Sequence, residues 1–331
     1  MNLPIHFADL IIVILFLPAI LLRAVHWVID RKMLRSSIAC ATVDSFKIEF
    51  ASFLSLIEVR PGRVLNVLRI PPRGASKGII VFVHGACARM QQFVSQITYF
   101  SEEGYEVVSF DALGCGESDI PVGAELYTSA EMYEDMVALV ERCTVQRGAV
   151  ARALVGHSMG GAMLTKLACS LDCSKLTESV VSLCNPDFTE ISRKTRIFEK
   201  YPASVLWLIR PLMGVKAREL LFGPKASEAL RAQEKEASAR NPVYMFRSYY
   251  RGIQGISFFH PESMGRSLAV RTLFVGAELD KISPCVSVES FASYFVGDPA
   301  PRFQLVRGCG HQCMQEDPDQ VNALIRDFLT V

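Results

Sequence analysis

Net charge is almost missing from this chain: 35 Lys and Arg stand against 34 Asp and Glu in 331 residues, a formal charge of +1. Such a balance supplies no broad field for collecting nucleic acid, and no run of Lys or Arg is long enough to act as a basic arm, so no nucleic-acid partner is expected. None of the five asparagines opens an Asn-x-Ser/Thr sequon, which suits a domain facing the cytosol. The ten cysteines are spread thinly, without the spacing of a disulfide framework, and read as small core residues in a reducing compartment. Half the residues are apolar and 21% charged, which excludes a disordered or fibrous chain.

Basic residues are also absent from Met1 to Asp9, which argues against a cleaved signal peptide. The next segment is apolar. Leu10 to Leu22 is a run of 13 residues, and extension to Ile29 gives 20 if Arg23 and His26 are tolerated. At about 1.5 Å per residue only the longer version reaches across a hydrocarbon core of about 30 Å, with Arg23 snorkelling along its stem. No polar stripe marks the run as the face of a soluble helix. Pro18 and Arg23 leave a full span and a shallow interfacial helix both open. Arg31, Lys32 and Arg35 come directly after the segment and place the rest of the chain on the cytosolic side. Residues 1–35 are therefore expected to be a membrane anchor with a basic flank, and the bilayer its partner.

Beyond the anchor, Phe46 to Arg60 and Val64 to Ile70 read as two antiparallel strands turned at Pro61-Gly62, forming a sheet edge. Gly78 to His84 is a continuous apolar run of the kind buried on both faces of a parallel sheet, and Phe93 to Glu103 has helical spacing. Strand and helix then alternate through Tyr105–Phe110, Ala130–Cys143, Arg152–Val155, Met159–Leu171, Val180–Cys184, Arg271–Val275, Val286–Phe295, Phe303–Val306 and Gln320–Leu329. The rhythm predicts a doubly wound, mostly parallel α/β sheet with its ligand site at the carboxyl ends of the strands. It breaks between Asn185 and Leu268. A helical insertion over 189–268 is expected there, between core segments 44–188 and 269–331. Lys216 to Arg240 is helix-forming and of mixed charge, and Tyr244, Met245, Phe246, Tyr249, Tyr250, Phe258 and Phe259 form an aromatic cluster suited to roofing an apolar pocket.

The chemistry centres on Leu154-Val-Gly-His-Ser-Met-Gly-Gly161. An apolar strand enters Gly-x-Ser-x-Gly and passes directly into a helix, a context that lifts Ser158 out as a nucleophile. Three fixed positions recur by chance, so the surroundings carry the argument. A serine hydroxyl needs a base in reach and a carboxylate to orient that base. Asp280 follows the strand Leu273 to Ala277, and His311 follows the strand ending at Val306, flanked by glycine. Glu278 and Asp187 are alternative acids, the first preceding the expected loop position, the second one strand early. His157 sits on the turn of the strand, pointing away from the hydroxyl, and His84 belongs to the loop after an earlier strand. Cys309-x-His311-x-Cys313 lacks the usual zinc spacing and a nearby fourth ligand, so no metal is expected.

From about Lys77 to the end, the chain resembles the α/β-hydrolase-fold serine hydrolases with an inserted lid, whose chain order of serine, acid and histidine matches Ser158, Asp280 and His311. His84-Gly85 and Asp111-Ala-Leu-Gly-Cys-Gly-Glu-Ser118 fit the same pattern as loops bordering the site. The resemblance implies an oxyanion hole formed by the N–H groups of Met159 and Ala86, although Gly85-Ala86-Cys87 stands where some esterases carry three glycines. It further implies cleavage of carboxylic esters without a cofactor. Relatives with an aspartate nucleophile open epoxides or displace halides, which Ser158 argues against. The aromatic lid and the anchor suggest lipid esters such as monoacylglycerol as substrate. An acyltransferase or thioesterase using the same triad, and a non-catalytic tethered interaction protein, remain alternatives.

Overall fold

A strand covered on both faces must send alternate apolar side chains to opposite layers, and Ile79 to Val83 does so. In the computed structural model Val81 and Val83 join one buried cluster, while Ile80 and Phe82 join the other. The structure describes residues 45–185, 219–240 and 261–330, with Leu21, Val25, Tyr201, Val205 and Leu206. Apart from Leu21 and Val25, the expected N-terminal anchor falls outside the described residues, as does the aromatic cluster over 244–259. Among the described residues no helix is long and apolar enough to cross a membrane.

The strands are β1 (Leu54–Arg60), β2 (Arg63–Ile70), β3 (Ile79–Val83), β4 (Glu106–Phe110), β5 (Ala151–His157), β6 (Ser179–Leu183), β7 (Ser267–Leu268), β8 (Arg271–Ala277), β9 (Val296–Gly297) and β10 (Arg302–Val306). Eight of them form one sheet in the order β1-β2-β4-β3-β5-β6-β8-β10, with β7 and β9 paired separately. The β1/β2 and β2/β4 pairs are antiparallel, and every pair from β4 onward is parallel. This is the doubly wound, mostly parallel α/β sheet that the strand and helix rhythm predicts. Helices Ser129–Cys143 and Met159–Ala168 bury Met132, Met136, Leu139, Ala162 and Leu167 against one face. Helices Val94–Glu102 and Pro318–Thr330 bury Ile97, Phe100, Ile325 and Phe328 against the other.

Two expectations about elements need correction. Phe46 to Arg60 is not one strand: Ser45–Phe50 is α-helical, Ala51–Phe53 forms a 3-10 turn, and the strand begins at Leu54. Phe46 and Phe50 lie one helical turn apart, both buried with ring centroids 4.8 Å apart, so spacing by four wins over alternation there. The mixed-charge stretch from Lys216 to Arg240 is not continuous either. Residues 219–221 are helical, Phe222 and Gly223 are not, and helix resumes at Glu228. Pro224 disfavours the helical conformation at the residue before it, and Ser227 restarts the helix by accepting the Leu230 N–H at 3.1 Å.

Candidate active site

Ser158 immediately follows β5, and it occupies φ 52° and ψ −119°, a conformation uncommon for a residue with a Cβ. The turn holds because its neighbours are glycines. A Cβ on Gly160 would lie 2.3 Å from the Val83 carbonyl oxygen, and one on Gly156 would lie 2.5 Å from the Gly160 carbonyl carbon. Close approach, more than torsional freedom, therefore demands glycine at both positions. The Ser158 N–H donates to the Leu183 carbonyl at 2.8 Å, which ties the turn to the end of β6.

Because β5, β6, β8 and β10 run parallel and adjacent, the loops at their carboxyl ends gather at one rim. Asp280 follows β8 there, and His311 follows β10. His311 Nδ1 lies 2.7 Å from Asp280 Oδ2, and the two side chains are almost completely buried. The other carboxylate oxygen of Asp280 accepts the N–H groups of Ile282 at 2.7 Å and Ser283 at 2.8 Å. With three donors directed at it, the carboxylate has one orientation, and it fixes the imidazole through Nδ1, leaving Nε2 on the other side of the ring. The Leu279 N–H donates to the Cys309 carbonyl at 2.9 Å, lashing the acid loop to the histidine loop. Ser158 is itself buried, with 8% exposure. Among the described residues no hydrogen bond joins Ser158 Oγ to His311. Such contacts commonly tighten only when substrate binds.

Neither of the other two nearby histidines is arranged as a base. His157 Nε2 lies 2.8 Å from the His311 carbonyl oxygen, and its Nδ1 is buried without a partner. Burial, with His311 adding to it, pushes its pKa well below the usual histidine value, so the ring is neutral. It supports the His311 backbone. His84 Nε2 accepts the Ala112 N–H at 2.8 Å, which leaves Nδ1 to donate to the Gly85 carbonyl at 2.7 Å. Burial lowers its pKa too, against the pull of Asp111. Both ring nitrogens are thus spent on shaping the loop that carries Ala86.

That loop presses on Ser158, since a Cβ on Gly85 would come within 3.2 Å of Ser158 Cβ. Its far side is anchored on Asp111. One carboxylate oxygen accepts the Met90 N–H at 2.9 Å, and the other accepts Asn66 Nδ2 at 2.9 Å and the Glu117 N–H at 3.0 Å. Met159 opens its helix directly after Ser158, and the positive end of the helix dipole there favours negative charge.

Of the alternative acids, Glu278 is exposed and accepts the Gly308 N–H at 2.7 Å, while Asp187 lies outside the described residues. His157, Cys184 and His311 offer ligand atoms within 4.8 Å of one another and are the described residues close enough to hold an ion. Two of the nitrogens are already committed, His311 Nδ1 to Asp280 and His157 Nε2 to the His311 carbonyl. Cys309 is turned to the Arg307 carbonyl, at 3.6 Å. Two features of the rim had no signal in the residue pattern. Cys184 follows β6 at φ 48° with its Sγ 3.6 Å from that of Cys313, and Glu316 is a buried carboxylate behind the histidine loop.

The sheet order and the serine turn define a class, and comparison with known proteins agrees with it. Residues 80–324 match the alpha/beta hydrolase family, and the chain belongs to that family. Among its relatives, protein ABHD8 of Mus musculus is 28% identical over 282 residues, covering 82% of this chain and 60% of its own. This chain therefore spans 60% of the length of that relative. Epoxide hydrolase 3 of Xenopus tropicalis is 25% identical over 276 residues, 76% of this chain and 71% of its own. Among solved structures, an esterase from Exiguobacterium antarcticum superposes with a TM-score of 0.69 at 18% identity, covering 84% of this chain and 99% of that one. At that identity the likeness shows the fold alone.

Proposed function

We propose that this chain is a serine hydrolase of carboxylic esters, acting through an acyl-enzyme on Ser158 with His311 as base and Asp280 as the orienting acid. The observation that carries the reading is the buried 2.7 Å pair of His311 Nδ1 and Asp280 Oδ2, at the rim where β5 delivers Ser158. In the acylation step Ser158 Oγ attacks the carbonyl carbon as its proton passes to His311 Nε2. Asp280 stabilises the imidazolium, and the proton then goes to the departing alkoxide. Water repeats the sequence on the acyl-enzyme and releases the acid. The tetrahedral oxyanion is received by the Met159 and Ala86 N–H groups, each donor of this kind contributing about 2.7–4 kcal/mol. A serine at position 158 favours an acyl-enzyme over the alkyl-enzyme of an aspartate nucleophile.

Lipid esters are the substrate class, and monoacylglycerol its simplest member. The apolar anchor segment would hold the site beside a bilayer, the aromatic residues over 244–259 would roof the acyl chain, and the neutral charge balance favours an uncharged head group. Fatty-acid release from monoacylglycerol in vesicles, compared between the full chain and Ser158→Ala, tests the reading. Release by the wild type that Ser158→Ala abolishes is expected. Equal release by both would contradict it.

A further inference from the structure

Glu316 is a carboxylate buried to 8% exposure, and among the described residues no cationic side chain hydrogen-bonds to it. Its two oxygens are divided between separate parts of the chain. Oε2 accepts the Gly223 N–H at 2.9 Å, and Oε1 accepts the Gly310 N–H at 3.0 Å. Gly223 lies in the insertion between β6 and β8, and Gly310 immediately precedes His311. Burying a carboxylate is unfavourable unless hydrogen bonds replace its water, so neither bond is dispensable.

The two glycines also meet backbone to backbone. A Cβ on Gly310 would lie 2.4 Å from the Gly223 nitrogen, and one on Gly223 would lie 2.6 Å from the Gly310 nitrogen. The seam continues on either side, where the Gln312 N–H donates to the Leu221 carbonyl at 3.2 Å and Lys225 Nζ to the Arg307 carbonyl at 3.0 Å. Residues 221–225 therefore cannot shift without either breaking a bond to Glu316 or carrying Gly310 along. His311 is the next residue, and its Nε2 has still to close on Ser158 Oγ.

We propose that Glu316 is a positioning residue, a single carboxylate that ties residues 221–225 to the loop of His311, so that placing this segment and placing the base are one event. The inference rests on the serine-hydrolase reading and deepens it: the position of residues 221–225 is transmitted to the base through Gly310.

The test compares the full wild-type chain with Glu316→Gln and Gly223→Ala. An amide keeps one acceptor oxygen but turns an NH2 towards the second N–H donor, and the added methyl pushes the seam apart. The second-order rate of labelling by a fluorophosphonate is measured per folded molecule, with kcat and KM for a short p-nitrophenyl ester. Both variants are expected to label roughly 10- to 100-fold more slowly, the loss falling in kcat with KM unchanged, because displacing a catalytic group by about 1 Å costs that much. The double variant is expected to be no slower than the worse single one, since both break the same connection. Labelling of both variants at the wild-type rate, with only thermal stability reduced, overturns the coupling and leaves the hydrolase reading standing. A wild type that does not label at all overturns both.

Discussion

At the scale of single residues, the account depends on Ser158 being held at φ 52° by side-chain-free neighbours. Positive φ at a residue with a Cβ stores about 1–3 kcal/mol, which the surrounding contacts must offset. Gly160→Ala would set a methyl 2.3 Å from the Val83 carbonyl oxygen, a backbone atom that cannot swing aside. A stability loss of about 1–3 kcal/mol by thermal unfolding, together with loss of esterase activity, is expected. Asp280→Asn keeps the shape of the acid but presents a donor or a weaker acceptor to His311 Nδ1. A fall in kcat of about 10^4-fold with KM little changed is expected, measured by steady-state hydrolysis. The candidate positions Ser158, Asp280 and His311 were legible in the sequence because each follows a recognisable strand and their order along the chain is itself a signal. The His157 contact with the His311 carbonyl and the Glu316 bond to Gly223 were not, as they join residues 154 and 93 positions apart and follow no local pattern.

At the scale of elements, the parallel core was the easiest part to read, because β3, β4 and β6 are buried along their whole length, β3 as an unbroken apolar run and the other two as mainly apolar ones. The segment before β1 misled because Phe46 and Phe50 satisfy helical spacing inside a stretch that also alternates. Within the sheet, Glu106 opens β4 beneath two cations. Arg147 contacts its carboxylate oxygens at 2.7 and 3.2 Å, and Arg69 Nε contacts one of them at 2.8 Å. Burial alone would raise the Glu106 carboxyl, but the two guanidinium groups outweigh it and hold it below its ordinary value of 4.5. A carboxylate depressed in the folded state stabilises the protein above its unfolded value, and this contribution disappears as the pH falls through the folded one. The wild type is therefore expected to exceed Glu106→Gln by about 1 kcal/mol at neutral pH, a figure discounted for the partly exposed arginines. That margin should shrink to nothing on acidification below 4.5, read from urea midpoints across pH. A margin that stays constant with pH would contradict the ion-pair explanation.

At the scale of the whole molecule, the sheet gathers three loops at one rim and so brings together residues that are 122 and 31 positions apart in the chain, Ser158 to Asp280 and Asp280 to His311. Topology explains the convergence: successive parallel strands deliver their carboxyl ends to the same side. The anchor reading concerns how this site meets its substrate. The full chain is expected to stay with membranes after alkaline carbonate extraction, while a chain lacking residues 1–35 moves to the supernatant and keeps its activity on a soluble ester. Full-length protein in the supernatant would contradict it.

The most direct measurement is mass-spectrometric mapping of a fluorophosphonate adduct on the full chain. An adduct on Ser158 of the wild type, sharply reduced by His311→Ala, is the expected result. A wild type left unmodified, or one modified at another residue while Ser158 stays bare, would contradict the account.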